Sequence, residues 1–352
     1  MMTNVDVREG IKKYYGNDLK NSTDLRTSAC CSIESIPQHH KTILGQIEDE
    51  ILSRFYGCGS PIPPMVKDCR ILDLGCGTGR DVYLLSKLVG SEGHVIGVDM
   101  TEDQLDVATK YVASQMQRFG YAKPNVSFRR GLIEDLQSLN IENNSIDVIV
   151  SNCVINLSTD KDRVFKEIFR VLKPGGELYF SDVFSDRRIP PHLKEDKILV
   201  GECLGGALYI EDFRRMMEKV GFLDHRTVSA SPIELKDPEV ERMVGMIKFT
   251  SQTIRAFKLV DQLEDRCEDF GQMAIYNGKD PHGPHRFELD HHHVFEKGKP
   301  VSVCGNTASM LKYTRYSQLF TIQGDHKTHY GIFNCGPSAP VSQNSVATGA
   351  CC

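Results

Sequence analysis

The stretch Ile71-Leu72-Asp73-Leu74-Gly75-Cys76-Gly77-Thr78-Gly79-Arg80-Asp81 constrains this chain's fold more than any other. An apolar run precedes its glycines and a helical pattern through Leu88 follows them, so they lie where a strand passes into a helix. Glycine lets the backbone approach a ligand closely, and the free N–H groups of a helix N-terminus favour carboxylate or phosphate. A second apolar run, His94–Asp99, ends 20 residues beyond Gly79, and its Asp99 can accept both hydroxyls of a ribose. Repeated strand–helix units of this kind build a parallel sheet with helices on both faces.

The alternation continues along the chain. Val126–Arg129 and Ile146–Ser151 read as strands, Asp162–Leu172 as a helix, Lys173–Gly176 as a turn and Glu177–Val183 as a strand. Thr101 is placed to cap a helix whose Leu105, Ala108, Val112, Met116 and Phe119 share a face. A later helix carries Phe213, Met216, Met217 and Val220 on one stripe and stops at Gly221. Ahead of the glycine turn, Ile43, Ile47, Ile51 and Phe55 predict one amphipathic helix over 41–56, followed by a Pro-rich break at 61–64. Past residue 235 the rhythm changes: Val240–Leu263 reads as a helix, and Met273–Tyr276, Phe287–Phe295 and Pro300–Cys304 read as strands. The expected organisation is an N-terminal segment plus a Rossmann-like domain over 1–235, a smaller α+β domain over 236–335, and a flexible tail over 336–352. That tail is rich in Gly, Ser, Pro and Ala and ends in Cys351-Cys352.

A chain of 352 residues is long enough for both domains. Net charge is −5, and the absence of any basic run argues against a nucleic-acid partner. No apolar stretch reaches the roughly 18 residues of a membrane span. The opening MMTNVDVREG carries acids and lacks an apolar leader core, so a cytoplasmic protein is expected. Twelve cysteines are then kept reduced, as buried small residues, metal ligands or redox groups. Short Cys-x2–4-Cys pairs suited to structural zinc are missing. His291-His292-His293 invites a metal, but His291 and His293 would share a strand face with Phe287 and Leu289, an ordinary sheet pattern.

A glycine turn of this kind could serve NAD. Three details favour another ligand. Arg80 stands where the third glycine of the dinucleotide fingerprint would be. Asp73 precedes the turn, suited to the ammonium or main-chain side of an amino-acid ligand. Gly131-Leu132-Ile133-Glu134-Asp135 follows the third strand, with an apolar contact and an acid for an adenine. DLGCGTGRD, the Asp99 strand end and RVLKPGGELYFSD at 170–182 together resemble class I S-adenosylmethionine methyltransferases. The resemblance implies a doubly wound α/β sheet, S-adenosylmethionine as cofactor, and contacts from Asp73, Gly75, Gly77, Gly79, Arg80, Asp81, Asp99, Met100, Ile133, Glu134 and Asn152.

The cysteines sharpen this. Cys153 follows a strand end, where ligands of open α/β sheets sit, and so should lie close to the transferable methyl. Cys203 and Cys58 lie in Gly-rich, turn-like stretches, GECLGGALY and YGCG. Each could still be a buried small residue. TSACC, RFYGCG, DVIVSNCVINL, YFSDV and GECLGGALY occur in that order, and FTSQTIRAFK and AIYNG follow. This pattern resembles arsenite methyltransferases over residues 28–335. By that resemblance Cys153 and Cys203 match the arsenic-binding pair, Cys58 its third partner, and Cys30 or Cys31 the first of four functional cysteines. A disulfide between Cys58 and Cys30 or Cys31, reset by thioredoxin or glutathione, is likewise implied, with arsenite or its glutathione conjugate as substrate and a monomeric enzyme. The sequence departs from the family at Cys76, where serine is commoner, and at Val82, where some members carry cysteine. A methyltransferase of another small molecule, or a metalloid binder without catalysis, are the alternatives.

Overall fold

The computed structural model describes residues 36–55, 57 and 59–334, with Lys197 described by its backbone alone. The expectations for Cys30, Cys31, Cys58 and the tail over 336–352 lie outside these residues.

Eight strands form one sheet. They are β1 (Arg70–Leu74), β2 (His94–Asp99), β3 (Val126–Arg130), β4 (Ile146–Asn152), β5 (Leu172–Ser185), β6 (Leu208–Tyr209), β7 (His225–Pro232) and β8 (Phe249–Phe257). Their order is β3-β2-β1-β4-β5-β8-β7, with β6 paired to β5. The strands β1 to β5 run parallel, and β8 runs antiparallel between β5 and β7. Parallel neighbours need crossovers, and helices supply them. Before and between the first strands lie α1 (Gln38–Leu44), α2 (Asp49–Ser53), α3 (Arg80–Val89), α4 (Glu102–Lys110) and α5 (Val112–Phe119). They are followed by α6 (Lys161–Val171), α7 (Pro191–Lys194), α8 (Lys197–Gly201), α9 (Ile210–Val220) and α10 (Pro238–Val244).

Successive residues of a strand point to opposite faces, so each face of β1 builds its own core. Leu72 and Leu74 pack with Phe165 and Ile168 of α6 and Phe213 of α9, whereas Ile71 packs with Val82 and Leu85 of α3. From β1 the chain winds outward through β2 and β3, then returns to lay β4 on the other side of β1. The carboxyl ends of β1 and β4, on either side of this reversal, are the point where such sheets bind ligands.

Beyond β8 come β9 (Gln272–Tyr276), β10 (Arg286–Glu288), β11 (Val294–Glu296), β12 (Pro300–Val303), α11 (Gly305–Lys312) and β13 (Phe320–Gln323). They form a β12-β9-β13 sheet and a β10-β11 hairpin around Tyr276, Phe295, Met310 and Tyr316. Among the described residues no helix is long and apolar enough to cross a membrane.

Several local expectations are corrected. The helix foreseen over 41–56 is two, α1 and α2, broken around Gly45, although Ile47 and Ile51 are buried as their spacing implied. The helix after Thr101 also breaks, at Tyr111, whose hydroxyl donates to Glu50. Thr101 occupies the N-cap backbone position but its side chain caps nothing; its N–H is bound by Asp99. The helix foreseen over Val240–Leu263 stops at Val244, where Gly245 takes φ +60°, and the chain re-emerges as β8. Helix-like apolar spacing carried the expectation too far, whereas Phe249–Phe257 is β-branched and aromatic enough to pair on both edges. Lys173–Gly176 is a bulge within β5 rather than a turn before it. Phe287–Phe295 is a hairpin, and Asp290 turns it by accepting the N–H groups of His292 and His293, both at 2.8 Å. The three histidines therefore sit in the turn and not on a strand face. No group of three metal-ligating side chains occurs among the described residues.

Candidate active site

The glycine turn has the backbone that only glycine adopts readily: φ is +76° at Gly75, +51° at Gly77 and +87° at Gly79. Gly79 starts α3, whose N-terminus no side chain caps. Asp99 closes the turn from β2, with Oδ2 accepting the Gly77 N–H at 2.9 Å and Oδ1 the Thr101 N–H at 2.8 Å. Asp73, Asp81 and Asp99 surround the turn. Burial first, then the charges of Asp81 and Asp99, holds the Asp73 carboxyl well above the usual carboxylate range. Burial also raises Asp99, against its backbone hydrogen bonds. No described residue donates a hydrogen bond to the buried Asp81 Oδ1, whose neighbouring charge is Arg80 Nε at 3.7 Å.

The other cofactor candidates distribute around this turn. Met100 is half-buried beyond Asp99. The 131–134 loop lies alongside, since Gly131 N–H binds Asp99 O at 2.9 Å. It buries Ile133 and Glu134, and Glu134 accepts the Ser158 hydroxyl at 2.7 Å. Arg80 stacks on the Phe55 ring, 3.6 Å from its centroid, which directs it toward the segment following α2. Asn152 is occupied by Gly59 and Asp81. Cys76 packs its sulfur against Gly97 in the core, and burial pushes its thiol up, so it is no site thiol.

Cys153 and Cys203 come together across 50 residues of sequence, with the Cys203 thiol 3.5 Å from the Cys153 carbonyl oxygen. Both have left-handed backbone, φ +56° and +60°, a conformation costing a non-glycine residue roughly 1–3 kcal/mol. The Cys153 N–H is fixed by Ser181 O at 2.8 Å, and Cys203 is buried against Leu199, Leu204 and Val183. Val154 touches the glycine turn so closely that a Cβ on Gly75 would meet it at 2.3 Å. The residue that follows Cys153 therefore packs on the cofactor turn. Cys153 is disulfide-bonded, so its sulfur is not a thiolate in this state.

Polar residues without a role assigned from sequence support the two cysteine turns. Asp182, buried on β5, accepts Asn156 Nδ2 at 2.7 Å, Asn156 N–H at 3.0 Å and Val183 N–H at 2.8 Å. Burial pushes its carboxyl up to about 7. Asn156 is held in turn by Gly206 of the Cys203 stretch, where a Cβ would lie 2.1 Å from the Asn156 oxygen. Lys161 donates to Ser158 O at 2.9 Å, and burial brings its ammonium down to about 8 while the charges of Asp182, Cys203 and Glu134 oppose that fall. Asp182 stood in the YFSDV motif without an assigned role. Lys161 reads in sequence as an ordinary helix-start lysine.

Residues 65–221 match the family described as a methyltransferase domain, and residues 270–352 match the arsenite methyltransferase C-terminal domain. An arsenite methyltransferase of Aquipseudomonas alcaligenes is 50% identical over 98% of this chain and 100% of its own length. The arsenite methyltransferase of Homo sapiens is 42% identical over 92% of this chain and 85% of its own. The crystal structure of an arsenic(III) S-adenosylmethionine methyltransferase from Chlamydomonas reinhardtii is 47% identical, with TM-score 0.83, covering 85% of this chain and 100% of its own. With identity of this extent over both halves of the chain, and with Cys153 and Cys203 brought together, the chain belongs to the arsenite methyltransferase family.

Proposed function

We propose that the protein transfers methyl groups from S-adenosylmethionine to thiolate-bound trivalent arsenic, as arsenite or its glutathione conjugate and then as methylarsenite. One observation carries the reading: the Cys203 thiol lies 3.5 Å from Cys153 O, while Val154 packs on Gly75 of the cofactor turn. A metalloid binder would need the cysteines and not the turn; another methyltransferase would need the turn and not the cysteines.

The acidic surroundings of the glycine turn suit that cofactor, which carries a cationic sulfonium and an α-ammonium. Asp73, Asp81 and Asp99 offer three carboxyl groups, and the buried Asp81 Oδ1 is free to accept an ammonium N–H. When bound, S-adenosylmethionine supplies a methyl group already activated for transfer, so no base is needed to deprotonate the acceptor. Asp99 takes the ribose hydroxyls, and Ile133 and Glu134 flank the adenine. Replacing Asp99 with alanine is expected to weaken cofactor binding by about 1.5–3 kcal/mol, the scale of hydrogen bonds to a charged group, while arsenite binding persists. Unchanged cofactor affinity by calorimetry would refute this placement of the ribose.

Trivalent arsenic is soft and prefers thiolates. Cys153 and Cys203 serve both substrates, and Cys58 completes three-sulfur ligation of arsenite, leaving the metalloid its lone pair. The chain's contribution is then mainly orientation, an effect reaching about 7–11 kcal/mol. Methylation formally removes two electrons from arsenic. Cys58 with Cys30 or Cys31 returns them by forming a disulfide, which thioredoxin or glutathione reduces in a cytoplasmic setting. The same class of reductant opens the Cys153 disulfide before arsenic binds there.

Incubation with arsenite, glutathione and methyl-labelled cofactor, followed by separation of the arsenicals, tests the reading. Labelled methylarsenicals with stoichiometric S-adenosylhomocysteine are expected, and cofactor turnover independent of arsenite overturns it. Replacing Cys58, or Cys30 and Cys31 together, should stop methylation of arsenite and spare methylarsenite, which has one ligand position fewer. Loss of both activities would show that these thiols serve the fold or every cycle.

A further inference from the structure

Asn152 ends β4 immediately before Cys153, and its side chain reaches a segment 93 residues earlier. Oδ1 accepts the Gly59 N–H at 3.2 Å, and Nδ2 donates to Gly59 O at 2.9 Å. The amide thus closes on both backbone groups of one residue, as a neighbouring strand would. Its remaining N–H goes to Asp81 Oδ2 at 3.3 Å, so both Nδ2 donors are committed within the protein. The segment also lies against β4 and β5 more closely than a side chain would permit. A Cβ on Gly59 would stand 2.2 Å from Ser181 Oγ, and one on Gly57 would stand 2.7 Å from Asn152 Nδ2. Gly57 and Gly59 flank Cys58. The residues on either side of this cysteine are therefore pressed onto the strand end that leads into Cys153.

We propose that Asn152 is a positioning residue for arsenic capture: with Gly59 and Ser181 it docks the Cys58-bearing segment on the end of β4, so that a third thiol is available beside Cys153 and Cys203. This rests on the assignment of Cys58 as the third arsenic ligand. It gives Asn152 a task distinct from contact with the cofactor. It also accounts for glycine at 59, where any side chain would lift the segment off Ser181.

Two measurements separate the docking from the role of Cys58. Hydrogen exchange at the Gly59 amide reads the docking itself: Asn152→Ala should speed it at least tenfold, and an unchanged rate overturns the proposal. Binding of arsenite, which takes three thiols, is then compared with phenylarsine oxide, which takes two. Gly59→Ala should weaken arsenite at least tenfold and leave phenylarsine oxide within twofold, and Gly59→Ala/Ser181→Gly should recover arsenite affinity by removing the obstructing side chain. Equal losses for both arsenicals, or no recovery in the double variant, overturn the proposal. Cys58→Ser is measured in parallel. If it does not weaken arsenite selectively, the third-ligand assignment fails, and with it the proposed purpose of the docking, whatever the exchange at Gly59 reports.

Discussion

Cys203→Ser and Cys153→Ser are each expected to lower methylation of both arsenite and methylarsenite on the order of 10³-fold or more, about 4 kcal/mol in the barrier at 1.36 kcal/mol per tenfold. The chemistry and not the fold sets this size. Serine is close to cysteine in volume and can adopt the left-handed backbone that positions 153 and 203 require, φ +56° and +60°. Its hydroxyl, however, is a hard donor and a poor ligand for soft trivalent arsenic. A methylated arsenic still needs two sulfur ligands, so neither substrate escapes. Cofactor affinity by calorimetry should hold, because the glycine turn touches Val154 rather than either thiol. Cys69→Ser is the matched control. Cys69, immediately before β1, is half-buried, burial pushes its thiol up to about 11, and its loss should leave the rate within twofold. Turnover within tenfold of wild type by the Cys153 or Cys203 variant, on either substrate, would remove that residue from the arsenic site.

The glycine turn was legible in the sequence because its backbone demands it. Positive φ at Gly75, Gly77 and Gly79 leaves few residue choices, and a carboxylate at the end of the next strand has one obvious use. The cysteine pair was legible through family resemblance, since nothing local relates Cys153 to Cys203 across 50 residues. What escaped shares a physical cause: it depends on which segments meet. The β8 strand carries apolar residues that suit either a helix or a strand, and its place between β5 and β7 decides the matter. Asp182 is one acid among many until β5 buries it beneath Asn156. Asn152 invites a cofactor role until Gly59 appears opposite its amide. The disulfide at Cys153 is invisible to composition, which argued for reduced thiols throughout.

The largest effect on stability is expected at Glu177. This carboxylate is fully buried on β5, bonded by Arg255 of β8 and by Arg315 beyond α11, and it accepts the Tyr316 hydroxyl at 3.1 Å. Arg255 also donates to Leu289 O ahead of the histidine turn, and Arg315 donates to Pro64 O at 3.0 Å. One negative charge therefore holds two guanidinium groups that join the large sheet, the Pro-rich segment and the C-terminal strands. Glu177→Gln keeps the shape and removes the charge, leaving two cations buried beside a neutral amide. Breaking a buried pair by removing one partner costs about 3–5 kcal/mol, because the remaining charge stays desolvated. The exposed Arg188–Asp212 pair provides the contrast: its side chains are 71% and 32% exposed, and Asp212→Asn should cost about 0–1 kcal/mol as surface pairs do. Urea unfolding followed at several wavelengths separates the two cases through the shift in midpoint. A loss below about 1 kcal/mol for Glu177→Gln would mean that water reaches the guanidinium groups, and that packing around Tyr316 rather than charge fastens the C-terminal strands to the sheet.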